Sequence, residues 1–158
     1  MLPVAAQAEA RAQLLRHFTG TLRALPAELA LALWHPDLPK ARFHDGVTLP
    51  ANQIDDDIVL FASFGIRYWV LGTTPDTCDQ YFDAVMRVWS DQGRPRRTIS
   101  TSRPLAGNAG TPDGYGFSLT QSVNGYLSMA GSTPLFVADS DTGDPFPTRI
   151  DHPAASRN

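Results

Sequence analysis

A second cysteine is missing from this chain of 158 residues, so Cys78 has no partner for an internal disulfide. The redox state of its compartment therefore stays open. No apolar run approaches the roughly 20 residues of a membrane-spanning helix. Lysine is nearly absent: Lys40 is the single lysine among 13 basic residues, a bias of composition rather than of chemistry. The net charge of −3 is spread without a basic block, which argues against nucleic acid as a partner. His17, His35, His44 and His152 include no i, i+4 pair and no His-Glu motif for zinc. No serine stands in a G-x-S-x-G elbow. Ala106-Gly107-Asn108-Ala109-Gly110 lacks the lysine and following helix of a phosphate loop, and reads as a flexible hairpin connection. There are no internal repeats.

With 42% hydrophobic and 18% charged residues, the chain is neither disordered nor strongly solvating. Its length suits one domain over 1–158, with enough core to fold unaided. Met1 to Ala10 has neither the basic start nor the apolar stretch of a secretory signal. Val4-Ala5-Ala6-Gln7-Ala8 has the small residues found near signal-peptidase sites, but reads as the alanine-rich start of a helix.

That helix is expected from about Ala5 to Leu25, on the spacing of Leu15, Phe18, Leu22 and Leu25, with Pro26 ending it. Ala27 to Leu33 is ambiguous between helix and strand. Pro36, Pro39 and Pro50 then mark a long irregular connection over about 34–57. Leu60 to Leu71 alternates as a strand, Phe64, Ile66, Tyr68 and Val70 on one face and Gly65, Arg67, Trp69 and Leu71 on the other. A helix follows over Thr74 to Gln92, capped by Thr74 with Pro75 first, burying Cys78, Phe82, Val85 and Trp89, widened by Tyr81 and Met86. Gly93 is placed to end it. The buried stripe is expected to pack on Phe64, Ile66, Tyr68 and Val70.

The strand over Arg96 to Thr101 must then run parallel to the first, either adjacent to it or separated as in a ferredoxin-like split. Its polar character suits a sheet edge. Tyr115 to Ala130 alternates around Asn124-Gly125, the signature of a two-residue hairpin turn. That turn leaves a conflict of parity, because Leu127 and Met129 fall opposite Leu119, so both faces are covered or a bulge resets the register. An irregular tail over about 138–158 carries Phe146 as an anchor. The fold class expected is α+β: a mixed, mainly antiparallel sheet with a C-terminal β-meander and two main helices packed on it.

Asp55, Asp56 and Asp57 form an acidic cluster that can supply oxygens to a hard cation, or can be a solvated loop. Asp139, Asp141 and Asp144 around Gly143 depart from calcium-loop spacing and lack a closing glutamate. His35 and His44 lie in the proline-rich loop, within chain reach of the acidic cluster, and a base role would need a substrate there. Cys78 sits in the first turn of a helix, where a thiol pKa can fall, but also on the buried stripe. Trp69 beside Arg67 faces away from the core pattern, so the pair is either an open contact surface or covered by another element. Trp34 in the proline-rich loop joins them as a binding candidate.

Tyr81-Phe82 … Val88-Trp89, Thr111-Pro112-Asp113-Gly114-Tyr115-Gly116-Phe117-Ser118-Leu119, and Asn124-Gly125-Tyr126-Leu127-Ser128 … Gly131-Ser132-Thr133-Pro134 resemble small uncharacterised secreted or lipoprotein-type domains of actinobacteria. The resemblance covers about the second half of the chain and implies cell-envelope association but no known activity. The chain has neither the lipid-attachment cysteine nor the signal segment of such proteins.

The expected function is non-enzymatic: a binding or interaction domain using the exposed sheet face or the proline-rich loop. A small metal-assisted or hydrolase-type enzyme built on His35, His44 and Asp55 to Asp57 is the alternative, and an intracellular dimeric interaction protein a third. No cofactor is expected. The expected partner is an unidentified protein, including a second copy of this chain, or a small ligand.

Overall fold

The structure is a computed structural model that describes residues 6–50, 61–94, 96–100, 102–138 and 141–154. Its chain order is α1 (Gln7–Arg23), β1 (Ala30–Ala32), β2 (Val47–Pro50), β3 (Phe61–Leu71), α2 (Cys78–Asp91), β4 (Arg96–Ser100), β5 (Ala106–Gly110), β6 (Gly116–Gln121), β7 (Leu127–Ser132), β8 (Phe136–Val137) and β9 (Arg149–Ile150). The strands form one sheet in the order β4-β5-β6-β7-β3-β1-β9, with β2 and β8 also on β3. The class is α+β, and the strand pairs are antiparallel. Among the described residues no helix is long and apolar enough to cross a membrane.

β3 organises the sheet because its 11 residues are long enough to hold two neighbours on each side. Ala62 pairs with Pro50 of β2 and Phe136 of β8. Trp69 pairs with Ala32 of β1 and Ser128 of β7. β4 lies four antiparallel steps away, which makes it parallel to β3 as the lengths of strand and helix require. The strands between them are β5, β6 and β7, a wider gap than a ferredoxin-like split. β4 through β7 form the expected meander.

Both helices cover one face. Phe64, Ile66, Tyr68 and Val70 join Leu14, Phe18, Leu22, Phe82, Val85 and Trp89 in the main core. The division of labour differs from expectation. Tyr68 receives Phe18 of α1, with ring centroids 5.4 Å apart, whereas Trp89 of α2 stands 6.0 Å from Phe117 on β6. Met86 lies against Gly107 of β5. α2 therefore sits over the meander, because the chain leaving β3 must travel across the sheet to start β4. Trp89 is fully buried and donates through Nε1 to Thr21 Oγ1 at 3.2 Å.

α2 also starts later than Thr74. Thr74 and Thr77 close a turn of their own, Thr74 N–H donating to Thr77 Oγ1 at 2.9 Å, and the helix begins after Thr77. Gly93 follows it at φ +75°, the left-handed conformation that ends a helix.

The hairpin corrects the expected turn. Gln121 pairs with Leu127 and Ser122 N–H donates to Tyr126 O at 2.8 Å, so the loop holds three residues, Val123, Asn124 and Gly125. Gly125 N–H closes a turn to Ser122 O at 2.9 Å, and Gly125 itself has φ +91°. Three-residue loops of this kind end in a left-handed residue, hence glycine. The odd residue resolves the parity conflict: Met129 now faces Leu119, and Leu127 and Met129 are fully buried. Val123 moves to the exposed tip.

Two segments expected to be irregular each contribute a strand. β2 falls inside 34–57 and pairs with β3, and β9 falls inside the tail and pairs with β1. Phe146 is buried, its ring 5.2 Å from Phe64.

Candidate functional site

Pairing fixes which residues share the helix-free face. One row crosses β3, β7, β6 and β5 as Gly65, Ser132, Gly116 and Gly110. The next reads Arg67, Ala130, Ser118 and Asn108, continuing to Arg97 on β4. A third contains Trp69, Ser128, Thr120 and Ala106. The first row, with Arg67, Ala130, Ser118 and Asn108 of the second, makes the floor of a trough of about 840 Å³, walled by Phe43, His44, Val47 and Leu49. That volume lies within the range of about 300–1,000 Å³ usual for small-molecule sites. Val47 and Leu49 are 46% and 58% exposed, so the wall presents apolar surface to whatever enters.

The glycines separate into two groups. A Cβ on Gly131 would come within 2.6 Å of Phe18 Cζ, and one on Gly107 within 2.8 Å of Met86 Cε. Helix packing explains both. A Cβ on Gly65 or Gly110, on the other face, meets nothing closer than 3.7 Å. No packed side chain requires glycine there, and a glycine inside a strand often marks close approach of a ligand.

Arg67 is the charged residue of this floor, and no carboxylate lines the trough among the described residues. Its Nη1 donates to Thr120 Oγ1 and Ser128 Oγ, both at 2.8 Å, and Nη2 donates to Ser118 Oγ at 3.4 Å. A guanidinium offers five N–H groups in a planar fork. Three are engaged, which leaves Nε–H and one Nη2–H with no partner among the described residues. Burial lowers the Arg67 pKa from its ordinary value. Arginine nevertheless stays charged, so the site holds a partly desolvated cation with two N–H groups unpaired among the described residues.

The other binding candidates lie elsewhere. Trp69 is buried rather than exposed, and the cover is the proline-rich loop. Phe43 stacks on it at 4.6 Å and 30°, and Trp69 Nε1 donates to Ala41 O at 2.6 Å. With Ala30, Ala32, Leu71, Leu38 and Tyr126 it forms a second, smaller core. Trp34 is 39% exposed, with the Arg42 guanidinium 5.6 Å from its ring centre.

His35 is buried beside Tyr126, rings 4.9 Å apart, and its Nδ1 accepts from Asp37 N–H at 3.0 Å. Its proton therefore sits on Nε2, which has no hydrogen-bond partner and faces aromatic surroundings. His44 lines the trough instead. The fold thus separates the two histidines by role. Asp55, Asp56 and Asp57 lie outside the described residues. Among the described residues no group of three or more His, Cys, Asp or Glu can hold a metal. Cys78 is buried and burial pushes its thiol pKa up, the opposite of an activated nucleophile.

One polar cluster went unread in the sequence. His17 Nε2 stands 3.2 Å from Asp113 Oδ2, and Arg94 Nη2 stands 3.4 Å from His17 Nδ1. Because Arg94 can only donate, Nδ1 accepts and the neutral ring carries its proton on Nε2, toward Asp113. Burial raises the Asp113 pKa, but hydrogen bonds from Thr111, from His17 and from the backbone outweigh it, leaving the carboxyl below its ordinary value. Arg94 is itself buried and lies 4.8 Å over the Phe117 ring. With both ring nitrogens engaged, His17 ties α1 to the Thr111–Asp113 turn rather than serving as a free base. These residues come from three distant segments, and no local pattern joins them.

No known protein family matches the chain, and no curated protein matches it. Among solved structures it is similar to the crystal structure of the "putative lipoprotein LppA" from Mycobacterium tuberculosis, at 11% identity and a TM-score of 0.49, over 90% of this chain and 87% of that one. At this level the likeness concerns the path of the backbone, and no functional statement rests on it.

Proposed function

We propose that this chain is a non-enzymatic binding domain whose ligand lies in the trough on the helix-free face of the sheet. The observation that carries the reading is Arg67: a partly buried guanidinium, held by three hydroxyls, with no carboxylate partner and two N–H groups unpaired among the described residues. A desolvated charge without a counter-charge is costly, and a ligand anion relieves that cost. The apolar wall of Val47 and Leu49 adds area that binding removes from water. Cell-envelope association, which the resemblance of the second half implies, belongs to the same proposal.

The test uses anilinonaphthalene sulfonate, an apolar probe with one negative charge. Its fluorescence should rise on binding the native protein and fall back for Gly65→Leu, which fills the trough. Gly65→Leu should still melt cooperatively, because its Cβ meets nothing closer than 3.7 Å. Equal enhancement by both proteins would place the probe elsewhere and contradict the reading.

A further inference from the structure

The chemistry of the trough narrows its ligand, given the binding reading above. We infer that it takes a single-chain amphiphile ending in one carboxylate, of the class of a free long-chain fatty acid. The carboxylate lies on the unpaired N–H groups of Arg67, and the chain lies along Val47 and Leu49.

Charge count sets the head group. Arg67 is the charged group of the floor, and two of its five N–H groups, Nε–H and one on Nη2, are left to be met by the two oxygens of a carboxylate. Arg97 ends the same row four strands away, about 19 Å at roughly 4.8 Å per strand, too far to share one head group. Arg67 is the one arginine or lysine of the lining, with His44 on the wall, and a single carboxylate is matched by Arg67 alone.

Shape and polarity set the rest. The trough crosses β2, β3, β7, β6 and β5, again about 19 Å between the outer strands at roughly 4.8 Å each. Apart from His44 its wall is aromatic and aliphatic, and apart from Arg67 and Asn108 its floor offers glycine, alanine and serine positions, fewer convergent polar groups than a sugar or nucleotide needs. Strand addition by a peptide is excluded on this floor, because β3, β5, β6 and β7 are already paired on both sides. An unbranched chain with one charged end fits an elongated, apolar, singly charged trough.

The experiment compares dodecanoate, dodecanol and dodecyltrimethylammonium by titration calorimetry below their micelle concentrations. Each is run with the wild type, Arg67→Met and Gly65→Leu. Dodecanoate should bind the wild type at least about tenfold more tightly than dodecanol, the worth of a charge-assisted pair. Arg67→Met should bring dodecanoate down to dodecanol, and leave dodecanol where it was. Octanoate should bind at least about tenfold more weakly than dodecanoate, because fewer methylenes leave water. Arg67→Met should fold, since Thr120 and Ser128 hydroxyls stand 3.0 Å apart and can pair with each other. If it does not, the head-group comparison on the wild type decides alone.

Equal binding of the three head groups, no binding of any, or full dodecanoate affinity in a folded Arg67→Met overturns the assignment. If Gly65→Leu then still removes binding of the fluorescent probe, the trough remains a site for another ligand. Amphiphile binding that ignores Gly65→Leu overturns the assignment and the binding reading together.

Discussion

Replacing Trp69 with alanine tests how the proline-rich loop is held on the sheet. The indole is 6% exposed, stacks on Phe43 at 4.6 Å and donates to Ala41 O at 2.6 Å. Removing a buried tryptophan costs about 3–5 kcal/mol in a rigid core. The aromatic pair adds about 0.5–1.5 kcal/mol beyond burial and the hydrogen bond about 1 kcal/mol. Against this, the cover is a loop, and Leu38 and Tyr126 can settle onto Ala32 and Leu71 to refill part of the space. The expected loss is therefore about 3 kcal/mol, the low end of the range. In urea, with a slope of about 1–3 kcal/mol per M, the midpoint should fall by about 1–3 M. Trp69→Phe keeps the stacking and should cost about 1 kcal/mol. Amide exchange gives a second reading: Phe43 N–H to Leu33 O and Leu38 N–H to His35 O hold the loop, both at 2.9 Å, and both should lose protection. A loss under about 1 kcal/mol with unchanged protection would refute the anchoring role.

Trp89→Ala should cost about 3–5 kcal/mol, since the side chain is fully buried between α2 and the meander; a loss under about 1 kcal/mol would put it outside the core. Gly125→Val should destabilise by roughly 1–2 kcal/mol because φ is +91° there, whereas deleting Val123 should leave urea stability within about 1 kcal/mol, since Asn124-Gly125 then forms a two-residue turn with the same strand register. The reverse order of effects would contradict the three-residue loop. Asp113 has a lowered pKa in the fold, so its contribution is fully present above the unfolded carboxylate value near about pH 4 and is lost as pH falls through the lower folded value. Wild type and Asp113→Asn should therefore differ in stability at neutral pH and converge in acid, and a gap that persists to about pH 2 would contradict the pairing with His17.

Elements that repeat a period were legible in the sequence. β3 shows period-2 alternation over 11 residues, and the burial of its two faces follows that alternation into the two cores. The stripe of α2 was readable to the residue, from Cys78 to Trp89. Short strands were not: β2 has four residues and β9 two, too few to carry a period, and they form because β3 offers an edge to β2 and β1 offers one to β9. Asn124-Gly125 signalled a hairpin but fits two loop lengths, and the clue to the longer one was the parity of Leu127 and Met129. The trough was illegible for a different reason. Its floor comes from Gly65, Ser132, Gly116 and Gly110 on four strands, and their alignment exists only once register is known. Arg67 stood out in the sequence through its neighbour Trp69, yet the fold buries the tryptophan and leaves the arginine facing the trough.

The most direct test of the binding account is an amide chemical-shift titration of the wild type with anilinonaphthalene sulfonate. The account predicts shifts concentrated on Gly65 and Arg67, on Gly110, Gly116, Ser118, Ala130 and Ser132, and along Phe43 to Leu49. Shifts confined instead to the cleft between α2 and β4, around Met86, Arg87 and Thr98, would contradict it.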